Sequence, residues 1–200
     1  MPMSIVRIGA VFAASTMLAG CGLNSIPTAE ETAKTRWADV QAAYQRRASL
    51  IPNLEATVKG AAASEKSILI GVADARAKAT SVQLSGNDLT DEGKVRQYAA
   101  AQGGLSAALV PFRQLQEQYP DLKSQANFAT FISQLEGTEN RINIAVLDYN
   151  KAVQAYNTRI RTFPDAVGAK IFYGAKPMVP FQATTPDAET APTVDFGNAS

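Results

Sequence analysis

The clearest pattern in the chain is an apolar row whose members recur every seven positions over 128–163. A second row lies beside it at steps of three and four, as on the inner face of a helix in a left-handed bundle. Glu139 stands in the second row where an apolar residue is expected. Because Pro164 cannot continue a helix, we predict that the helix ends there. The rows are Phe128, Leu135, Ile142, Tyr149, Tyr156 and Phe163, and Ile132, Val146, Val153 and Ile160.

A similar row runs through the first part of the chain and includes two charged positions. Arg47 and Glu65 stand where the row needs apolar side chains. Pro52 lies inside the row, and the heptad phase continues past it, which favours a kink in one helix over a turn to a separate helix. Thr28 and Glu31 have the spacing of a capping box and predict the helix start. The apolar members are Trp37, Val40, Tyr44, Ile51, Leu54, Val58, Ala61, Ile68, Val72 and Ala75.

A weaker row predicts a helix between these two, over about residues 91–118. Asp88 or Thr90 is the predicted cap. Two glycines and Pro111 lower the helix propensity of this segment, so we expect a bend in it. The row consists of Val95, Tyr98, Leu105, Leu109 and Phe112.

A file of polar residues runs beside the last apolar row. Amide side chains at helical spacing form hydrogen bonds between packed helices more often than they form a binding surface. We therefore predict an inter-helix hydrogen-bond ladder. Its members are Glu136, Asn143, Asn150 and Asn157.

The chain beyond the last helix has no apolar period. From residue 175 onward it is rich in Pro, Thr, Ala and Asp. Such a composition buries too little apolar surface to order a chain. We predict a helical domain over 28–174 and a mostly disordered tail over 175–200, with 183–200 as its disordered part. Since no strand signal of useful length occurs, the predicted fold class is all-α, with left-handed heptad packing.

The N-terminus has the layout of a secretory signal peptide. A basic residue precedes an apolar run over 8–18, which is shorter than the roughly 20 residues that span a bilayer. The letters LAGC at 18–21 resemble a bacterial lipobox, which implies cleavage before Cys21 and acylation of Cys21, palmitate included. The alternative is an ordinary signal peptide, or an anchor helix, with an incidental cysteine. We predict a lipoprotein signal peptide at 1–20 and a tether at 21–27.

Composition removes several kinds of chemistry. Lys and Arg number 19 and Asp and Glu 18, so the near-neutral chain has no general attraction for nucleic acid. The absence of histidine excludes imidazole catalysis and imidazole metal ligands. Cys21 is the only cysteine, so no disulfide forms within one chain. We predict no cofactor, no metal site and no catalytic residue, and we expect a membrane to be bound through acylated Cys21.

Several motifs occur in order along the chain: QRRASLIPNL at 45–54, TVKG at 57–60, YPDLK at 119–123, NF at 127–128, TENRI at 138–142, and the pairs Tyr149-Asn150 and Tyr156-Asn157 before Phe163-Pro164. Together they resemble the signature of the LemA family over about residues 37–182. The resemblance implies a membrane-tethered, antiparallel up-and-down four-helix bundle of long helices facing away from the cytoplasm. It supplies no catalytic residues. Family members commonly begin with a transmembrane helix, where this chain has a lipobox.

The charged residues in the apolar rows form a candidate structural cluster. An unpaired buried charge costs several kcal/mol, so such groups pair, become neutral or stay hydrated. We expect Glu65 or Glu139 to pair with Arg47 or Arg76 on a neighbouring helix and to set the helix register. The alternatives are an exposed end of the row, or a role in ligand binding or proton handling.

These features favour a lipid-anchored bacterial envelope protein that binds or scaffolds an unidentified envelope protein. If the organism has two membranes, Gly22 favours the outer membrane, facing the periplasm, because Asp there usually marks inner-membrane retention. One alternative is a structural, self-associating coiled-coil lipoprotein. Another is a carboxylate-based enzyme, for which Glu65 and Glu139 would have to converge in a pocket.

Overall fold

The computed structural model of the chain describes residues 24–61, 66–119 and 126–182, and these residues form helices and no strand. The predicted all-α class is confirmed for these ranges. None of the described helices combines the length and the apolarity needed to cross a membrane. The elements are α1 Ser25–Ala61, α2 Lys66–Ser81, a 3-10 turn Asp88–Thr90, α3 Glu92–Gln118, α4 Ala126–Arg159, α5 Asp165–Gly168 and a π-helical turn Ala169–Tyr173.

Helix α1 begins earlier than the capping box predicted. It starts at Ser25, inside the segment predicted as a tether, so the predicted start at Thr28 is wrong. Thr28 Oγ1 instead donates a hydrogen bond to the carbonyl of Asn24 at 2.7 Å. Pro27 falls in the first turn, where a missing N–H costs no helical hydrogen bond. Pro52 lies within the one helix, and the structure divides the long first row between α1 and α2.

Helix α3 has nearly the predicted bounds but a different cap. The carboxylate of Asp91 accepts hydrogen bonds from the N–H groups of Gly93 at 2.9 Å and Lys94 at 3.1 Å. Both predicted caps lie in the 3-10 turn Asp88–Thr90 instead, so that prediction is wrong. The extra turn moves the start of the helix past them.

The described chain divides into two compact units. Unit 2 is built from Ala48–Gln83 and Arg96–Glu136, as far as these are described. Segments of α1, α2, α3 and α4 each present one apolar face to its core, because their apolar residues recur at steps of three and four. The amide of Gln102 is buried there and donates to the carbonyl of Ala79 at 3.1 Å. The core residues are Ile51, Leu54, Val58, Leu69, Val72, Ala79, Leu105, Leu109, Phe128, Ile132 and Leu135.

Unit 1 is built from residues 24–47, Leu84–Val95 and Gly137–Phe181, and its core combines aliphatic side chains with a group of aromatic ones. The rings of Trp37 and Tyr149 meet edge to face with their centroids 5.2 Å apart. Such aromatic pairs stabilise a core beyond the area they bury.

The end of α4 differs from the prediction. The helix ends at Arg159, before Pro164 is reached. The buried row therefore stops at Tyr156, and Phe163 is 86% exposed. The placement of Phe163 in the core row is wrong, because a seven-residue spacing keeps side chains on one buried face only within a continuous helix.

Candidate functional site

The last described segment, residues 176–181 with the sequence KPMVPF, packs into unit 1; we call it the strap. Met178 and Phe181 of the strap are buried. The predicted tail over 175–200 therefore begins too early, because these residues belong to the packed unit. Residues 183–200 lie outside the described part of the chain.

Two asparagines of α4 hold the strap by its main chain. The amide of Asn157 donates to the carbonyl of Met178 at 2.8 Å and accepts from its N–H at 2.9 Å. The amide of Asn150 does the same for Phe181, at 2.9 and 2.8 Å. Each side chain therefore pairs with one residue of the strap as a neighbouring strand would.

The spacing of these contacts fits two different helical repeats. Asn150 and Asn157 lie seven residues apart, which is about 10.5 Å along an α-helix. Met178 and Phe181 lie three residues apart, which is about 9.3 Å in a polyproline II chain, where every third residue faces the same side. Pro177 directly precedes the first residue held, and a second proline precedes the other. The prolines favour the conformation that this register requires.

Two buried tyrosines of α4 complete the contacts to strap carbonyls. Tyr149 Oη donates to the carbonyl of Val179 at 2.9 Å, and Tyr156 Oη donates to that of Lys176 at 3.2 Å. Burial raises the pKa of Tyr149 well above its usual range and also raises the pKa of Tyr156. Both hydroxyls therefore keep the proton that they donate.

The N–H of a further strap residue is also satisfied. The N–H of Val179 donates to the carbonyl of Leu89 at 2.8 Å. Pro180 has no N–H, so every N–H group present in residues 178–181 has a hydrogen-bond partner. Buried main-chain groups without partners are costly, so this complete pairing fixes the position of the strap.

An aromatic pocket receives the side chain of Phe181. Its ring centroid lies 5.5 Å from that of Trp37 and 6.1 Å from that of Tyr44. Trp37 Nε1 donates to the carbonyl of Leu84 at 3.0 Å, and the Gln41 amide donates to the same carbonyl at 2.9 Å. The pocket wall is therefore held in place by hydrogen bonds from α1 to the segment before α3.

An ion pair adjoins this pocket. Arg47 Nη1 lies 3.1 Å from Glu139 Oε1, and the side chains are 1% and 28% exposed, respectively. The Arg47 guanidinium carbon also lies 4.9 Å from the ring centroid of Tyr44, within the range of a cation–π contact. Tyr44 thus contacts both Phe181 of the strap and Arg47 of the ion pair.

The family is settled by comparison with known proteins. The profile of the LemA family matches residues 36–196, which include the ion pair, the Tyr-Asn pairs and the strap. The chain belongs to the LemA family.

Three curated relatives of this LemA protein are magnetosome proteins by name. Magnetosome protein MamQ 2 and Magnetosome protein MamQ 1 of Paramagnetospirillum magneticum are each 28% identical to it over 157 residues. Magnetosome protein MamQ of Magnetospirillum gryphiswaldense is 27% identical over 157 residues. Each match covers 70% of this chain and only 58% of the relative, so the chain spans little more than half of each relative's length.

The structure brings together two residues of the predicted charged cluster of this LemA protein. Arg47 and Glu139 form the ion pair described above. Arg76 lies in unit 2, where its Nε donates to the carbonyl of Ala48 at 2.9 Å. Glu65 and Cys21 lie outside the described residues.

The strap was not predicted from the sequence, because Asn150 and Asn157 were assigned to hydrogen bonds with a neighbouring helix. The inter-helix ladder predicted for Asn150 and Asn157 is wrong, since both amides pair with the strap. The available signal was a pair of repeats: Tyr-Asn every seven residues on α4, and proline every three residues at 177 and 180. The similar lengths of the two repeats, one on α4 and one in the strap, would have suggested that the two segments pair.

Replacing Glu139 with Gln is expected to lower the free energy of unfolding by about 2 kcal/mol. The change keeps the shape of the side chain and leaves the buried Arg47 guanidinium without its counter-charge. A buried pair loses about 3–5 kcal/mol when one partner is removed, and an exposed pair about 0–1; the half-buried carboxylate falls between them. Urea unfolding followed by helical circular dichroism measures the loss.

The matched control is Glu136→Gln, one turn away on α4 and exposed, which should leave stability unchanged. Equal stabilities for the two variants would show that the ion pair does not stabilise the fold.

Proposed function

We propose that this LemA protein is a lipid-anchored component of the bacterial cell envelope that binds or scaffolds another envelope protein, without catalysis. The observation that carries the proposal is the chemistry of its described site. The amides and hydroxyls there recognise main-chain groups, and the described guanidinium contacts are with a carboxylate and an aromatic ring. Such groups hold a polypeptide and do not activate a nucleophile.

A carboxylate-based enzyme has less support. Glu139, one of the two acids nominated for it, is held by Arg47. A groove of about 380 Å³ at the start of α1 is lined by small and polar side chains and by Arg159, with no carboxylate among them. Among the described residues, no three acidic or cysteine side chains are grouped as a metal site.

The anchor is assigned to Cys21. The lipobox at 18–21 supports acylation there, and a rigid helix begins at Ser25, only four residues further on. The relatives named as magnetosome proteins fit a protein that works at a membrane surface. Gly22 favours the outer membrane, facing the periplasm, where the organism has two membranes.

The proposed architecture is an antiparallel four-helix bundle with left-handed heptad packing. Its support is the core of unit 2, to which four helices each contribute residues at steps of three and four. A self-associating coiled-coil lipoprotein is the second candidate, because Ile144 and Leu147 are exposed one turn apart on α4. Sedimentation of the detergent-solubilised protein decides: a stable oligomer would favour the coiled coil.

Replacing Cys21 with Ala is expected to abolish both acylation and cleavage at this site. The thiol is the group that lipidation requires, so the variant should retain the full-length mass. It should also lose the contribution of the acyl chains to detergent partitioning, about 0.8 kcal/mol per buried CH₂, and keep only that of the uncleaved apolar run over 8–18. Intact mass and detergent partitioning are measured together. Identical mass and partitioning for variant and wild type would overturn the lipoprotein assignment.

The binding role is tested by cross-linking and affinity capture of the acylated protein from native membranes, followed by mass spectrometry. Glu136→Gln serves as a folded control, and Glu139→Gln as a variant altered beside the strap site. A partner recovered reproducibly by wild type and control supports a scaffold. Failure to recover any partner reproducibly would count against it.

A further inference from the structure

A short segment between α4 and the strap exposes a group of large apolar side chains. We call residues 161–173 the tip. Grouped apolar side chains of this size on a surface mark an interaction site, whereas single ones need no explanation. They are Phe163, Val167, Ile171, Phe172 and Tyr173.

The tip is held in its middle and at its C-terminal end. Gly168 and Ala169 in its middle are buried. Gly174 has a φ of +54°, a left-handed conformation that favours glycine, and turns the chain so that the N–H of Ala175 donates to the carbonyl of Ala169 at 3.0 Å. The strap then follows, and the N–H groups of Met178, Val179 and Phe181 are all paired. The apolar side chains of the tip therefore project from a fixed base.

Basic residues surround the tip. Arg159, Arg161, Lys170 and Lys176 lie in or beside it, and all four are exposed. Asp165 is the single acidic residue over 159–176, and its Oδ2 lies 3.9 Å from Arg159 Nη1. The headgroup contacts are therefore assigned to Arg161, Lys170 and Lys176. Exposed apolar groups flanked by Lys and Arg are the combination that favours the interface of an anionic bilayer.

The tip lies at the end of unit 1 where the anchor enters. Ser25 Oγ, in the first turn of α1, donates to Asp165 Oδ2 in the tip at 2.8 Å. Cys21 precedes Ser25 by four residues, and four residues reach at most about 14 Å. An acylated Cys21 would therefore hold a membrane surface within that distance of the tip.

We propose that the tip is a second membrane contact, in which Phe163, Ile171 and Phe172 enter the interface of an anionic bilayer beside the acyl chain. The basic residues bind lipid headgroups. The inference rests on the proposed anchoring at Cys21. Acylation of a single residue leaves the protein free to rotate about its tether. The tip would give unit 1 a fixed orientation on the membrane.

The test places a tryptophan in the tip of the acylated full chain, as Phe172→Trp, in vesicles of phosphatidylglycerol and phosphatidylcholine with brominated acyl chains. Phe172 is exposed, so the replacement leaves the fold intact. The control is Leu147→Trp, also exposed and about 18 Å back along α4 from Arg159. The emission of buried Trp37 is common to both and is subtracted with wild type.

We expect Phe172→Trp to lose about half of its added emission to bromine, because interfacial side chains lie about 5–10 Å deep, and Leu147→Trp to lose none. The loss should diminish in vesicles of phosphatidylcholine alone. Equal quenching of the two variants, or none in either, would overturn the tip contact while flotation with the vesicles still reports the anchor. If the emission wavelength of Phe172→Trp shifts with protein concentration in the absence of vesicles, the tip instead contacts a second copy of the chain.

If Cys21 is not acylated, the intact mass of the wild-type protein shows this separately, because it lacks the mass of the acyl chains. Phe172→Trp combined with Cys21→Ala is then added to preformed brominated vesicles. Quenching there retains the tip as a membrane contact without the anchor, and its absence overturns both.

Discussion

Phe181→Ala is expected to lower the free energy of unfolding by about 3–5 kcal/mol, the usual cost of truncating a buried phenylalanine. The ring is 1% exposed and packs against Trp37 and Tyr44. Its removal empties the aromatic pocket and weakens the hold of unit 1 on the strap. Urea unfolding of the full chain measures the loss, with the emission of Trp37, the one tryptophan, reporting on the pocket itself.

The same chain supplies a matched control. Phe163→Ala removes an identical side chain that is exposed, so stability should change by no more than about 0.5 kcal/mol. Similar losses for the two variants would mean that the strap does not pack in the pocket in solution.

Tyr149→Ala is expected to cost a similar amount, about 3–5 kcal/mol. Tyr149 is fully buried, meets Trp37 edge to face, and donates its hydroxyl proton to the strap carbonyl of Val179. Both the cavity and the lost hydrogen bond contribute. Thermal or urea unfolding followed by circular dichroism measures the loss.

Tyr149→Phe separates the two contributions. It keeps the ring and removes only the hydroxyl, so we expect a loss of about 1 kcal/mol. A loss below about 1 kcal/mol for Tyr149→Ala itself would show that the seven-residue row of α4 does not face the core.

The near-neutral net charge of the whole chain conceals a local cluster of basic residues. The balance of 19 basic and 18 acidic residues predicts no general attraction for anionic surfaces. Along residues 159–176, however, four basic residues meet one acidic residue. The contact between Ser25 and Asp165 then brings that segment to the start of α1, four residues after Cys21. Only the folded chain relates the basic cluster to the proposed anchor.

The helices were predictable from the sequence because their signal is local. A row of apolar residues at steps of three and four specifies one buried face whatever packs against it. The buried positions from Trp37 to Val58, and from Phe128 to Tyr156, follow that rule. The same regularity made Arg47 and Glu139 visible as misfits, since each interrupts an apolar row.

The partners of these faces were decided by tertiary structure alone. Glu139 lies against Arg47 in unit 1, whereas Arg76 lies in unit 2 against a carbonyl, and no local pattern distinguishes the two arginines. The strap has no helical or strand period of its own; it is ordered because Asn150 and Asn157 supply the hydrogen bonds that its main chain lacks. Such a segment reads as disordered in isolation, because the free energy that orders it comes from contacts 20 or more residues distant along the chain.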